Sequence, residues 1–314
     1  MKSNIQYCLK LSKMSAVARL NQTARHISTA VGYNTVTEGS KYSSDFKAYL
    51  QLPNGELGSY FHDIPLNLNK EKKTVNVIVE ISRWSNAKFE ISKKNALNPI
   101  TQDIKLGNVR FVNNIFPFKG YMHNYGAIPQ TWDDPTIVDK ETGFRGDDDP
   151  IDICEIGQRV AKLGDVFEAK VLGALALIDD GELDWKVFVI DSRDPLAKEI
   201  NDIGDIDARF PGLLESTRKW FKDYKIPDGK PENEFGFNGE FLNADKAIDV
   251  ISHSNAAWKK LTEGQLEYPK LPHIENTTLN GSPGFIKAKT EDFITQSDNP
   301  DAEIPESVDR VYFV

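Results

Sequence analysis

From Lys41 onward the chain is dominated by short runs in which every second position is apolar, and a helical period appears only in its second half. Alternating or near-continuous apolar stretches at 75–81 within TVNVIVEI, at 87–91 (AKFEI), 109–112, 166–178 and 185–190, bounded by turn residues, predict strands. Behind Pro211, a suitable first-turn residue, Leu213, Thr217, Trp220 and Tyr224 recur at i, i+4, i+7 and i+11 and predict a helix. Ala244, Ala247, Ile248, Ile251 and Trp258 predict another. Beyond 262 the chain is rich in Pro, Gly, Asn and Thr and ends in VYFV, which predicts an irregular extension whose last residues lie back on the body as a strand. No internal repeat or long interior linker interrupts the pattern. The expected architecture is mainly β (α+β): one domain over 31–261 with peripheral helices, then an extension over 262–314.

The length, 314 residues, is enough to bury a sizeable core. No apolar run approaches the ~18 residues of a membrane span, so membrane insertion is not expected. With 38 basic against 47 acidic residues the net charge is −9, which repels phosphate backbones and argues against nucleic acid as a partner. The only cysteines, Cys8 and Cys154, exclude a disulfide framework and a Cys-rich zinc site.

The first stretch departs from this balance. Residues 1–37 hold Lys2, Lys10, Lys13, Arg19 and Arg25, several Ser and Thr, and no acid before Glu38. That composition predicts a mitochondrial transit peptide over about 1–30, with Arg25 shortly before small hydroxylated residues and processing near 27–31, and hence a matrix location. The remaining 33 basic and 47 acidic residues would leave a mature chain at −14.

Eight acids fall between Asp133 and Asp152, opposed only by Lys140 and Arg145. Acidic runs are ordinarily solvated. Here, however, Asp147 and Asp149 lie two apart, Pro150 stiffens the chain, and Asp152 stands among Ile151, Ile153 and Cys154, so carboxylates are carried into an apolar wall. Carboxylates so placed repel one another and take up protons unless cations neutralise them. Hard oxygen donors select Mg²⁺ or Mn²⁺ over zinc. A further acidic group, Asp179 to Asp184, forms a hairpin turn, and strand geometry puts Asp184 and Lys186 on one face with Trp185 and Val187 on the other. Lys88 and Glu90 share a strand face, Glu80 lies in the preceding strand, and Arg110 sits between Val109 and Phe111 as a strand-held guanidinium suited to bidentate phosphate contact. Tyr121, Tyr125, Tyr224 and Lys225 supply further donors for an anion.

At these residues the sequence resembles the soluble inorganic pyrophosphatases, specifically the longer animal and fungal type of family I. The signature from Asp147 through Asp149, Pro150 and Asp152 to Ile153 carries the likeness, with EISRWSNAKFEI, NPITQD, GYMHNYGAIPQTW, LGALALIDDGELDWK and YKIPDGKPEN. The resemblance implies a small closed five-stranded β-barrel of the OB type with added strands and helices. It implies that Asp147, Asp152 and Asp184 bind metal, with Asp179 and Glu90 supporting further ions. Lys88, Arg110, Tyr125, Lys186, Tyr224 and Lys225 would contact phosphate, and Glu80 would support the site from behind. Asp149 would orient or deprotonate the attacking water, and Tyr121 would serve as proton donor. It further implies a homodimer, for which Arg83 and Trp84 look exposed.

The expected reaction is Mg²⁺-dependent hydrolysis of inorganic pyrophosphate by direct attack of an activated water. Two other readings compete. An aspartyl-nucleophile phosphatase would use Asp147 and Asp149 as its acid pair, but expects alternating strands and helices. An acidic Ca²⁺ module lacks the EF-hand glycine and distal glutamate.

Overall fold

A computed structural model describes residues 32–266, 270–288, 290–294 and 299–314; the leader expected over 1–30 lies outside the described residues. The main strands are β1 (Asn34–Glu38), β2 (Lys47–Gln51), β3 (Thr74–Ile81), β4 (Phe89–Ile91), β5 (Ile100–Gln102), β6 (Asn124–Ala127), β7 (Asp152–Glu155), β8 (Val166–Asp179) and β9 (Glu182–Asp191). Five of them close on themselves. β3 pairs antiparallel with β6 and β8, β6 antiparallel with β7, β7 parallel with β9, and β9 antiparallel with β8. A second sheet, in the order β1, β2, β5, β4, lies beside this ring. The mainly β architecture and its closed five-stranded ring agree with the expectation.

Apolar residues on both strand faces explain why the sequence gives long apolar runs rather than strict alternation. On one face Val75, Val77, Val79, Ile153, Phe167, Trp185, Val187 and Val189 form a single cluster with Ala247, Ile248 and Ile251 of a long helix, α3 (Ala244–Thr262). On the other, Ile78, Tyr125, Cys154, Leu175, Leu177 and Phe188 pack with Leu214, Trp220 and Phe221 of α2 (Leu213–Asp223). The parity of β8 changes midway. Phe167, Ala169 and Val171 share a cluster with Ala174, Ala176 and Ile178, because the register against β9 shifts between Val171 and Gly173. A Cβ on Gly173 would meet Ile203 Cγ1 and Leu242 O at 2.3 Å, so only glycine fits there. This bulge turns Leu175, Leu177 and, at the strand's end, Asp179 toward the α2 side.

Both expected helices are present, and α3 starts where the Asn243 side chain accepts from Lys246 N at 2.9 Å. A third, α1 (Ile203–Arg209), was not expected: it is seven residues long, contains a glycine and buries only Ile206. The run at 109–112 is less regular than expected. Only Asn108–Val109 forms a regular strand, and Phe111 makes an isolated bridge to Ala87. At the C-terminus Val311–Tyr312 pairs in parallel with Asn114–Ile115. The extension is anchored further by Asp63, whose carboxylate accepts from the backbone N–H groups of Thr277 (3.0 Å) and Thr278 (2.9 Å).

Trp84 is 60% exposed, but Arg83 corrects the sequence reading. Its guanidinium turns inward, donating to the Glu155 carbonyl at 2.9 Å and lying 3.8 Å from the Glu155 carboxylate. A carboxylate as buried as that of Glu155 needs a counter-charge, and Arg83 supplies it. Among the described residues no helix is long and apolar enough to cross a membrane.

Candidate active site

Strand pleat and loop geometry bring chemistry-bearing side chains to one open cavity of about 210 Å³ on the α2 side of the ring. All fourteen residues singled out in the sequence line it: Glu80, Lys88, Glu90, Arg110, Tyr121, Tyr125, Asp147, Asp149, Asp152, Asp179, Asp184, Lys186, Tyr224 and Lys225. With Asp180 and Glu182 the lining holds nine carboxylates against four cations. That surplus of negative charge is the dominant physical feature of the site.

β9 presents Asp184 and Lys186 on the cavity face, and β7 sets Asp152 directly beside Lys186 in the parallel register. The Lys186 ammonium is 2% exposed as a residue and lies between two carboxylates, 2.5 Å from Asp152 and in contact with Asp184. It also donates to Tyr125 Oη at 2.7 Å, and Tyr125 in turn donates to Asp152. Burial works against the charge on Lys186, but Asp152 and Asp184 outweigh it and hold the ammonium well above the usual lysine range.

The loop between Gly146 and Pro150 sorts its three aspartates. Asp148, at φ +67°, is turned away from the cavity: its carboxylate accepts from Trp132 Nε1 at 2.9 Å and pairs with Lys93 at 3.2 Å. Asp147 and Asp149 face inward, and Asp147 Oδ1 accepts the Asp149 N–H at 3.0 Å. The main chain of Asp133 bonds to both Asp148 N (3.0 Å) and Asp149 O (2.8 Å), fixing the loop on the body. Burial, reinforced by Asp184 and Asp149, pushes the Asp147 carboxyl well above the carboxylate range. Burial also pushes Asp184 up to about 8 against the pull of Lys186. Asp149 rises by burial only to about 6, because Lys93 lies 2.8 Å away.

On the far wall Lys88 pairs with Glu90 at 2.8 Å and lies 3.5 Å from Asp103, to which Arg110 donates at 3.0 Å. Glu80 accepts from Ile91 N at 2.7 Å, locking β3 to β4 beneath them; burial and the nearby Asp152 push its carboxyl well up. The phenols gather around α2. The Tyr121 ring lies 5.0 Å from that of Tyr125 and 5.2 Å from Trp220, and Trp220 stacks on Tyr224. Burial raises Tyr121 to about 12, so its hydroxyl keeps its proton. Tyr224 Oη donates to Asp179 at 3.1 Å, and Lys225 bridges Asp179 and Asp180.

Two residues that organise this site, Lys93 and Asp103, were not read from the sequence. Both lie in polar segments, ISKKN and ITQDI, where no periodicity marks a buried pair.

The donor set fits a hard divalent cation. It is made of carboxylate oxygens, and nine carboxylates against four cations leave the lining with a surplus of negative charge. Among the described residues no three His, Cys, Asp or Glu side chains converge at ligating distance. The lysine ammoniums take up that role, Lys186 between Asp152 and Asp184 and Lys225 between Asp179 and Asp180.

Comparison with known proteins bears on the same residues. The family model described as inorganic pyrophosphatase matches residues 77–259. The mitochondrial inorganic pyrophosphatase of Saccharomyces cerevisiae is 49% identical over 96% of this chain and 97% of its own. The inorganic pyrophosphatase of Candida albicans is 50% identical over 90% and 98% respectively. Among solved structures, inorganic pyrophosphatase from Schistosoma japonicum superposes with a TM-score of 0.85 at 42% identity, covering 90% of this chain and all of its own. A truncated vacuolar soluble pyrophosphatase of Trypanosoma cruzi, solved in complex with PPi, gives 0.67 at 40% identity over 73% of this chain and 90% of its own. Because the matched span contains every residue that the sequence brought to the cavity, and near-half identity extends well beyond that span, this chain belongs to the inorganic pyrophosphatase family.

Proposed function

We propose that the cavity hydrolyses inorganic diphosphate to two phosphates by direct attack of water, with Mg²⁺ as its cofactor, in the mitochondrial matrix. Family membership makes the chain an inorganic diphosphatase; the finer reading rests on the nine carboxylates and four cations around one cavity. A lone anion would be repelled from such a surface, whereas an anion arriving with divalent cations is matched on both sides. Asp147, Asp152 and Asp184 would hold the Mg²⁺, with Asp179 and Glu90 supporting further ions. Mg²⁺, or Mn²⁺ in its place, supplies neutralisation of phosphate charge and acidifies a coordinated water.

The chain's own residues do the rest. Asp149, held by Lys93 and by its N–H bond to Asp147, accepts the proton of the attacking water. Arg110 and Tyr125 hold the attacked phosphoryl group, and Lys186, beside Tyr125, offers its ammonium to the same anion. Lys88, Tyr224 and Lys225 receive the departing phosphate, where Tyr121 retains a proton to donate. Glu80 keeps β3 and β4 in register beneath Lys88 and Glu90.

The acid-free first 37 residues and the mitochondrial name of the yeast relative support the location, and the exposed Trp84 suits a homodimer contact. Phosphate release from pyrophosphate, followed in Mg²⁺ and in excess chelator, tests the activity. Turnover restricted to Mg²⁺ or Mn²⁺ is expected; equal turnover in excess chelator contradicts the metal requirement.

A further inference from the structure

Two segments far apart in sequence each contribute to the cavity wall. One runs from Asp103 to Asn113 and carries Arg110; the other runs from Tyr224 to Lys230 and carries Tyr224 and Lys225. Among the described residues, the side-chain hydrogen bonds and ion pairs between them all fall on one carboxylate, that of Asp228. One of its oxygens lies 2.6 Å from Lys105 Nζ, and the other accepts from Asn113 Nδ2 at 2.8 Å.

Both ends of this bridge are short and stiff. Asp228 closes a single 3₁₀ turn, Ile226–Asp228, with Pro227 inside it; its N–H bonds back to Lys225 O at 3.0 Å, and Gly229 follows at φ +79°. The position of Asp228 is therefore coupled to that of Lys225. On the other side Lys105 sits in a two-residue hairpin with Asn108–Val109, whose turn residues Leu106 and Gly107 both have positive φ. Asn113 lies three residues beyond Arg110, so the two anchor points bracket Arg110. A carboxylate gripping both sets the distance between Arg110 and the Tyr224–Lys225 pair.

We infer that Asp228 is a positioning residue that clamps these two wall segments together and thereby sets the affinity for pyrophosphate and for the departing phosphate. Its carboxylate touches Lys105 and Asn113 and none of the side chains assigned to the reaction. The inference rests on the roles proposed above for Arg110, Tyr224 and Lys225, since it concerns the gap between the two phosphate-holding walls. Partly exposed ion pairs are individually weak, so the clamp is expected to tune binding rather than to create it.

The test is steady-state kinetics and phosphate product inhibition on Asp228→Ala, Asp228→Asn and the exchanged pair Lys105→Asp with Asp228→Lys. Asp228→Ala is expected to raise KM and the phosphate inhibition constant together by about fivefold, with kcat within about twofold and an unchanged pH profile. Asp228→Asn, which keeps an acceptor for Asn113, is expected to raise KM by about twofold. The exchanged pair is expected to recover most of the KM loss that either single change produces. An unchanged KM in Asp228→Ala overturns the inference, as does a fall in kcat that tracks a lowered Tm without rescue by the exchange. If the unaltered enzyme released no phosphate from pyrophosphate, the reading of the site itself would fail instead, so the two failures are distinguishable.

Discussion

Two imidazoles are buried without a charge partner, and they should make the fold sensitive to acid. His62 is fully buried: its Nδ1 accepts from Trp258 Nε1 at 2.9 Å, and its Nε2 donates to the His273 carbonyl at 3.0 Å. Protonation would leave Trp258 facing a donor, and burial holds this imidazole down to about 4. His123 lies 2.8 Å from Thr217 Oγ1, whose own hydroxyl donates to Leu213 O, so the ring must be the donor. Burial, helped by Arg83, holds it down to about 3. Unfolded histidine titrates near ~6.5, so both groups stabilise the fold fully above that value and lose their contribution as pH falls toward 4. At pH 5 the unfolded imidazole gains about 2 kcal/mol by protonation, and the folded ones gain almost nothing, so the pair should lower stability by about 4 kcal/mol relative to pH 8. Buried carboxyls act in the opposite sense. Asp133 and Asp184, raised to about 7 and about 8, favour the metal-free fold at low pH and lose that contribution as pH rises from the unfolded carboxyl value, ~3.9, up to those values. A single pH profile therefore mixes the two. Urea denaturation of metal-free protein from pH 8 to pH 5, with and without His123→Gln, separates them. The difference between the two proteins should change by about 2 kcal/mol across the range. A constant difference, or imidazole resonances of His123 titrating near ~6.5 by NMR, would refute the reasoning.

Further outcomes follow from the site and its supports. Asp149→Asn keeps the shape but loses the proton acceptor, and should lower kcat by about 10² or more while metal affinity, read by titration, falls only modestly; Asp152→Asn should weaken metal binding itself. Lys186→Met removes the cation between Asp152 and Asp184 and should destabilise metal-free protein by about 3–5 kcal/mol at pH 8, less at pH 5, below the raised value of about 8 at Asp184, and Mg²⁺ should restore part of the loss in thermal melts. Asp63→Ala orphans the N–H groups of Thr277 and Thr278 and should cost about 2–4 kcal/mol, with early proteolysis in the extension as its signature. Ca²⁺ should bind yet support little turnover, because its larger radius and looser geometry misplace the reacting groups; full activity in Ca²⁺ alone would count against a tightly organised site.

The cavity was legible in the sequence wherever chemistry and periodicity coincide. Asp184 and Lys186 could be put on one face because Leu183, Trp185 and Val187 alternate with them at the start of β9, and the Asp147–Asp152 segment announced itself by packing acids against apolar neighbours. Asp179 is a different case. Its arrival at the cavity depends on the parity change at Gly173, and one glycine in an apolar run does not reveal a bulge. Lys93 acts through Asp149, which is distant in sequence, and Asp103 acts through Arg110 across the base of a short hairpin that no apolar pattern marks. The same holds for Arg83, which looked exposed beside Trp84 but answers the buried Glu155 seventy-two residues away. Among the elements, β1 escaped notice because its residues NTVTE are only half-buried, so no apolar face distinguishes it from a loop.

Rapid-quench hydrolysis of radiolabelled pyrophosphate by the purified enzyme in Mg²⁺ addresses the mechanism directly. Direct attack by water requires two phosphates per pyrophosphate and no label on the protein at any time point, with turnover abolished by excess chelator. Label held on the protein and released by hydroxylamine, the mark of an acyl phosphate on Asp147 or Asp149, would contradict it.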